Sequence, residues 1–97
     1  MLHHVYKLNN VIISGNKYLD DSIISTYFNS QLGKHYNPTF IRKQLIALKR
    51  TYLKHGKLDI HIMDELLIDG TNITLRVNIS EGVSYIIKGI DISLALN

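Results

Sequence analysis

KLDIHIMDELLIDGTNITLRVNIS, residues Lys57 to Ser80, holds two runs of alternating apolar and polar residues on either side of an Asp-Gly pair. In the first run Leu58, Ile60 and Ile62 alternate with Asp59, His61 and Met63, the period of a strand with one covered face. In the second, Ile73, Leu75, Val77 and Ile79 alternate with Thr74, Arg76, Asn78 and Ser80. Asp69-Gly70 between them is hairpin chemistry, so this reading predicts a strand over Lys57 to Asp64 and a second one paired back on it.

Upstream of Gly56 the period is different. Ile41, Leu45, Leu48 and Tyr52 step by four, three and four, which is one face of a helix. Asn37 stands where an N-cap belongs, with Pro38 at the first helical position, and Gly56 marks the end. Arg42, Lys43, Lys49, Arg50 and Lys54 occupy the rest of that helix surface. Earlier still, Asp20, Asp21 and Ser22 offer N-cap oxygens. Ile23, Ile24, Tyr27, Phe28 and Leu32 follow at helical spacing, predicting a short amphipathic helix ahead of Gly33. A β-branched run from Tyr6 to Ile13, closed by Ser14-Gly15-Asn16, reads as the first strand and its turn.

The element order is therefore β-α-α-β-β, an α+β fold. Two antiparallel helices return the chain to its starting end. The third strand can then lie parallel to the first and antiparallel to the second, giving a three-stranded mixed sheet of order 1-3-2 with both helices on one face. In that order the stretch Lys57 to Asp64 is an edge.

Composition is consistent with this. Ninety-seven residues with 45% hydrophobic content suit one small domain. No stretch approaches the apolar length that spans a bilayer, and the start, MLHHVYKLNN, lacks the layout of a signal peptide. There is no cysteine, which removes disulfides and thiolate metal sites from consideration. A net charge of +3 is mild beside the dense basic stripe of a dedicated nucleic-acid binder.

The stretch SEGVSYIIKGIDIS, Ser80 to Ser93, restarts a strand pattern where a small domain should be finishing. Tyr85, Ile87, Ile90 and Ile92 repeat Tyr6, Leu8, Val11 and Ile13 at one constant offset. This divides the chain into one complete unit over residues 1–83 and, over 84–97, the first strand or linker of the next, as in a tandem array.

These residues resemble the POTRA (polypeptide-transport-associated) domain of the BamA outer-membrane assembly family. The matching positions are Tyr6, Leu8, Val11, Ile13, Gly15 and Asn16, then Tyr52 and Gly56, then Glu81, Gly82, Tyr85, Ile87, Ile90 and Ile92. Two positions depart: Lys57 stands where an aromatic often follows the family's glycine, and Ser93-Leu94-Ala95 stands where Gly-Asn is expected. The second departure resembles the junction after the third unit of such an array. The pattern is also similar to TamA, two-partner-secretion transporters and FtsQ. The resemblance implies a non-catalytic periplasmic module without cofactor. Its implied partners are unfolded outer-membrane protein precursors, accessory lipoproteins of the assembly complex and neighbouring POTRA units.

The binding route expected from such a module is β-augmentation, in which an extended segment pairs with a free sheet edge. Here that edge is Lys57, Leu58, Asp59, Ile60, His61, Ile62, Met63 and Asp64. Gly15 and Asn16 read as a turn needing positive φ, Gly56 as a helix stop, and Glu81-Gly82 as a sharp exit from the third strand, with Glu81 capping local backbone groups or meeting the next unit. Tyr27, Phe28 and Tyr52 read as core. His3 and His4 lie near the terminus, and His35, His55 and His61 fall on separate elements without ligand spacing, so no metal site is expected. The carboxylates sit at caps and turns, and no nucleophile has a base beside it. The rival from another class is a KH-like RNA-binding module using the basic helix, but its G-x-x-G clamp is missing from Gly33-Lys34-His35-Tyr36 and no nucleic-acid partner is expected.

Overall fold

A computed structural model of the chain describes residues 5–82. Its elements run β1 (Lys7–Ser14), α1 (Asp21–Ser25), α2 (Pro38–Lys54), β2 (His61–Asp69) and β3 (Asn72–Ser80). The three strands form one sheet of order β1-β3-β2, with β1 parallel and β2 antiparallel to the central β3. This is the α+β arrangement expected. The restarted pattern around Tyr85, Ile87, Ile90 and Ile92, and the division near residue 83, lie outside the described residues.

One apolar layer holds the sheet to the helices. Ile73, Leu75, Val77 and Ile79 of β3 are all buried, and against them pack Ile24 and Phe28 from the first helical region and Ile41, Leu48 and Tyr52 from α2. The opposite sheet face carries Thr74, Arg76 and Asn78. Ser14 Oγ donates to Asn78 Oδ1 at 2.8 Å there, and Arg76 meets Glu65 at 3.3 Å. In β1, Leu8 and Val11 both reach the core although they are three residues apart. The pairing register explains this: it slips between Leu8 and Asn10, and the extra residue Asn9 makes a bulge that restores the inward face.

The first helical region is shorter than its spacing predicts. Only Asp21–Ser25 is α-helix, followed by a 3-10 turn at Asn29–Gln31. Ser25 Oγ donates to the Asp21 carbonyl and Thr26 Oγ1 donates to the Ile23 carbonyl at 2.6 Å. Hydroxyls that take up helix carbonyls in this way favour an early end. Asp20 stands at the N-cap position without a side-chain cap bond. Asn16 Nδ2 instead ties this helix start together, donating to the Leu19 carbonyl and to Asp21 Oδ1.

Helix α2 is bounded as its sequence predicts. Asn37 Oδ1 accepts from the Phe40 amide at 3.1 Å, and Pro38 opens the first turn. At the other end Gly56, at φ 81°, lets the Gly56 and Lys57 amides donate back to the Leu53 and Tyr52 carbonyls.

That C-terminal cap forces a correction to the edge. Lys57, Leu58, Asp59 and Ile60 are not strand: they form the turn that leaves α2. Ile60 turns into the core at 2% exposure, whereas Leu58 is 70% exposed. The strand begins at His61 and runs five residues beyond Asp64, to Asp69. The hairpin also differs in register from an Asp-Gly centre, since Asp69 pairs with Asn72 and the loop is Gly70-Thr71. Gly70 takes φ 63° and Thr71, like every other non-glycine among the described residues, has no positive φ, the sign pattern of a type II′ turn.

Candidate edge-strand site

The sheet has two edges, and they differ in how much backbone they leave open. The connector after the 3-10 turn closes on β1: the Leu8 amide donates to the Lys34 carbonyl, the Gly33 amide to the Leu8 carbonyl and the Tyr36 amide to the Tyr6 carbonyl, all within 2.9 Å. A bridge between Lys7 and His35 adds to this cover, which lies over the start of β1 at Tyr6 to Leu8, and further along Asn10 Oδ1 accepts from the Val11 amide at 2.9 Å. Along β2 the described residues give no such partner beyond β3.

The free groups on β2 can be assigned from the hairpin. A two-residue loop closes on a hydrogen-bonded pair, here Asp69 and Asn72, and in an antiparallel ladder bonded and non-bonded pairs alternate. Asp69, Leu67, Glu65, Met63 and His61 thus bond inward to β3. The amides and carbonyls of Ile62, Asp64, Leu66 and Ile68 point outward. The side chains of these four residues share the helix-side face with Ile79, Val77, Leu75 and Ile73, their partners in β3.

Beside this edge lies a groove of about 370 Å³ between α2 and β2. Ile41, Leu45, Ile46 and Ile62 supply apolar lining, and Arg42, Lys49 and Asp64 supply charge. Tyr36 also lines it, its hydroxyl pushed up from the ordinary tyrosine range first by burial and then by the charge of Asp64. A larger, more open depression of about 760 Å³ sits at the connector, walled by Lys7, Gln31, Lys34 and His35. It borders the start of β1, which the connector already covers. An extended segment laid along β2 would bond to the outward groups and drop alternate side chains into the groove.

Of the eight edge residues read from the sequence, only His61, Ile62, Met63 and Asp64 lie on this strand, and Glu65, Leu66, Leu67, Ile68 and Asp69 were missed. A signal for them was present. Once the loop is two residues long, a nine-residue β3 requires a nine-residue partner, which places the start of β2 at His61.

The remaining motif residues gather at the far end of the sheet. Glu81 is a hub: Oε2 accepts from the Lys17 amide at 2.9 Å, the Tyr18 amide at 2.9 Å and the Tyr52 hydroxyl at 2.8 Å. Burial pushes its carboxyl up, but the two backbone amides, the Tyr52 hydroxyl and the Lys57 charge outweigh that and hold it below the usual glutamate range. Tyr52, fully buried, is driven well above the tyrosine range by burial, by its bond to Glu81 and by that carboxylate's charge. The loop after β1, the end of β3 and helix α2 thus meet on one carboxylate. Two glycines make the approach possible. A Cβ on Gly15, at φ 84°, would stand 1.9 Å from the Ile79 carbonyl oxygen, and one on Gly82, at φ 72°, would stand 2.7 Å from Asp59 Cβ. Tyr18, with His55 at 5.4 Å and the Lys57 ammonium 4.9 Å above its ring, continues this end outward.

A sheet of order 1-3-2 with one face under two helices, one edge partly covered by a connector and the other edge open among the described residues defines a small α+β module. The POTRA family model, described as "Surface antigen variable number repeat", matches residues 6–82, and the chain belongs to the POTRA family. Among solved structures it is similar to the fourth POTRA unit of BamA from Haemophilus influenzae (TM-score 0.71, 14% identity), covering 84% of this chain and 97% of that one. It is also similar to the N-terminal domain of Omp85 from Thermosynechococcus elongatus (TM-score 0.69, 19% identity, 81% of this chain and 33% of that one). POTRA units 1–2 of Omp85 from Anabaena match with a TM-score of 0.63 at 22% identity, over 84% of this chain and 52% of that one. The chain thus spans almost all of the first structure but only about a third and about half of the other two. No match was found among curated proteins.

Proposed function

We propose that this chain is a non-catalytic periplasmic POTRA unit of a BamA-like outer-membrane assembly protein, and that it handles unfolded outer-membrane protein precursors by pairing them with β2. Accessory lipoproteins and the adjoining POTRA units are its further proposed partners, with residues 84–97 opening the next unit. The observation that carries the reading is the asymmetry of the edges among the described residues: the connector closes the start of β1 at Tyr6 to Leu8 and Asn10 Oδ1 takes up the Val11 amide, while Ile62, Asp64, Leu66 and Ile68 present their backbone groups outward beside a partly apolar groove. Backbone pairing makes little demand on sequence, which suits a module that receives many different strands. The same connector weighs against the RNA-binding alternative, because its Gly33 and Tyr36 amides are already spent on β1.

The test is fluorescence anisotropy with an extended peptide of alternating apolar and polar residues taken from a barrel strand, compared with Leu66→Pro. Proline on an edge removes one outward donor without breaking a bond to β3. Binding should fall at least tenfold in the variant with its far-UV spectrum unchanged. Equal affinity for wild type and variant would contradict pairing at β2.

A further inference from the structure

The open edge is close to its own complement. Set antiparallel to a second copy about a two-fold axis at Glu65, β2 brings His61 opposite Asp69, Ile62 opposite Ile68, Met63 opposite Leu67 and Asp64 opposite Leu66. This register is centred on the strand and pairs all nine of its residues. Its parity is also right. The outward residues Ile62, Asp64, Leu66 and Ile68 then face one another in four bonded pairs, each exchanging two backbone hydrogen bonds. Side-chain chemistry follows the same symmetry: Ile62 meets Ile68 on the helix side, and Met63 meets Leu67 on the outer face. Met63 is 70% and Ile68 58% exposed in the single chain, an unusual load of apolar surface for an edge.

One feature opposes the pairing. On the axis Glu65 faces Glu65, and like charges directly opposite are destabilising. Each carboxylate already has the Arg76 guanidinium at 3.3 Å on the neighbouring strand, so the axis would carry two such ion pairs side by side. We propose that two copies of this chain associate weakly and reversibly through β2, in the register centred on Glu65, closing the edge when no other strand occupies it. This uses the same edge as the proposed function but does not depend on a foreign strand ever binding there.

Because the chain has no cysteine, single thiols report the register cleanly. In Glu65→Cys the two Cα atoms would lie about 4.5 Å apart as a non-bonded antiparallel pair, within reach of a disulfide. In Met63→Cys the two copies' thiols would be separated by about four residues of strand, roughly 13 Å. Mild oxidation should therefore link most of Glu65→Cys and little of Met63→Cys. Without any thiol, sedimentation velocity on the unmodified chain should show concentration-dependent dimer, abolished by Ile68→Lys and at least threefold tighter in Glu65→Gln. Excess barrel-strand peptide should dissociate the dimer. A chain that stays monomeric at millimolar concentration, or equal cross-linking at positions 63 and 65, overturns the proposal. Peptide binding to such a monomer would leave the proposed function standing, whereas dimer formation without any peptide binding would support self-pairing and count against that function.

Discussion

Replacing Glu81 with alanine should destabilise the domain by about 3 kcal/mol. The structure gives the parts of that figure. Tyr52 is fully buried, and its hydroxyl donates to Glu81 Oε2; without the carboxylate a buried donor is left unpaired, a cost of about 1–3 kcal/mol. The amides of Lys17 and Tyr18 also lose a charged acceptor, but both residues are exposed and water takes the vacated place, so they add about 1 kcal/mol together rather than the full value of charged hydrogen bonds. For a domain of this size 1 kcal/mol shifts Tm by about 4–8 °C, so Glu81→Ala should melt about 12–24 °C below wild type. Tyr52→Phe keeps both amide bonds to the carboxylate and should cost only about 1 kcal/mol. Urea unfolding of wild type, both single variants and the double variant closes a cycle, and its coupling should be about 1–2 kcal/mol. A Glu81→Ala variant within 0.5 kcal/mol of wild type, or an additive cycle, would refute the claim that this carboxylate ties the loop after β1 to α2.

Further outcomes follow from the same geometry. Gly15→Ala should cost more than about 3 kcal/mol, since the left-handed conformation alone costs roughly 1–2 kcal/mol and the new Cβ would stand 1.9 Å from the Ile79 carbonyl oxygen. Gly33→Ala, at φ 79° in open space, should cost only the conformational part, and thermal melts of the two variants separate strain from crowding. Because folding lowers the Glu81 pKa, its contribution is fully present above the ordinary glutamate value, near pH 4.3, and is lost as pH falls through the depressed folded value. Acid titration followed by circular dichroism should show that loss in wild type and its absence in Glu81→Gln. Asn37→Ala removes the cap on the Phe40 amide and should cost about 1 kcal/mol by urea unfolding, with no change in peptide affinity.

Where local chemistry has a single outcome, the sequence is a sound guide. Asn37-Pro38 and Gly56 bound α2 because each satisfies backbone groups within one turn, and the strict alternation of Ile73 to Ile79 can bury only one face. The order 1-3-2 follows from connection geometry. The rest depends on pairing partners far away in the chain. β2 is extended because β3 is nine residues long, although the run Leu66-Leu67-Ile68 no longer alternates and reads locally as a turn flank. Lys57 to Ile60 alternate well and still form a turn, because the cap at Gly56 uses the Lys57 amide and nothing in β3 remains to pair with them. The bulge at Asn9 is written in the three-residue step from Leu8 to Val11, a signal that becomes legible only beside β3. Glu81 is harder still, since its two amide donors come from positions more than sixty residues away and its hydroxyl donor, Tyr52, from another element.

The central claim is that β2 takes up an extended strand through its outward backbone groups. Amide hydrogen exchange of the labelled chain, with and without a saturating barrel-strand peptide, tests it residue by residue. The account predicts new protection with a period of two, at Ile62, Asp64, Leu66 and Ile68, while Met63, Glu65 and Leu67 are already protected by β3 and change little. Protection that is uniform along the strand, or that appears instead on the β1 edge at Lys7 to Ser14, would contradict it.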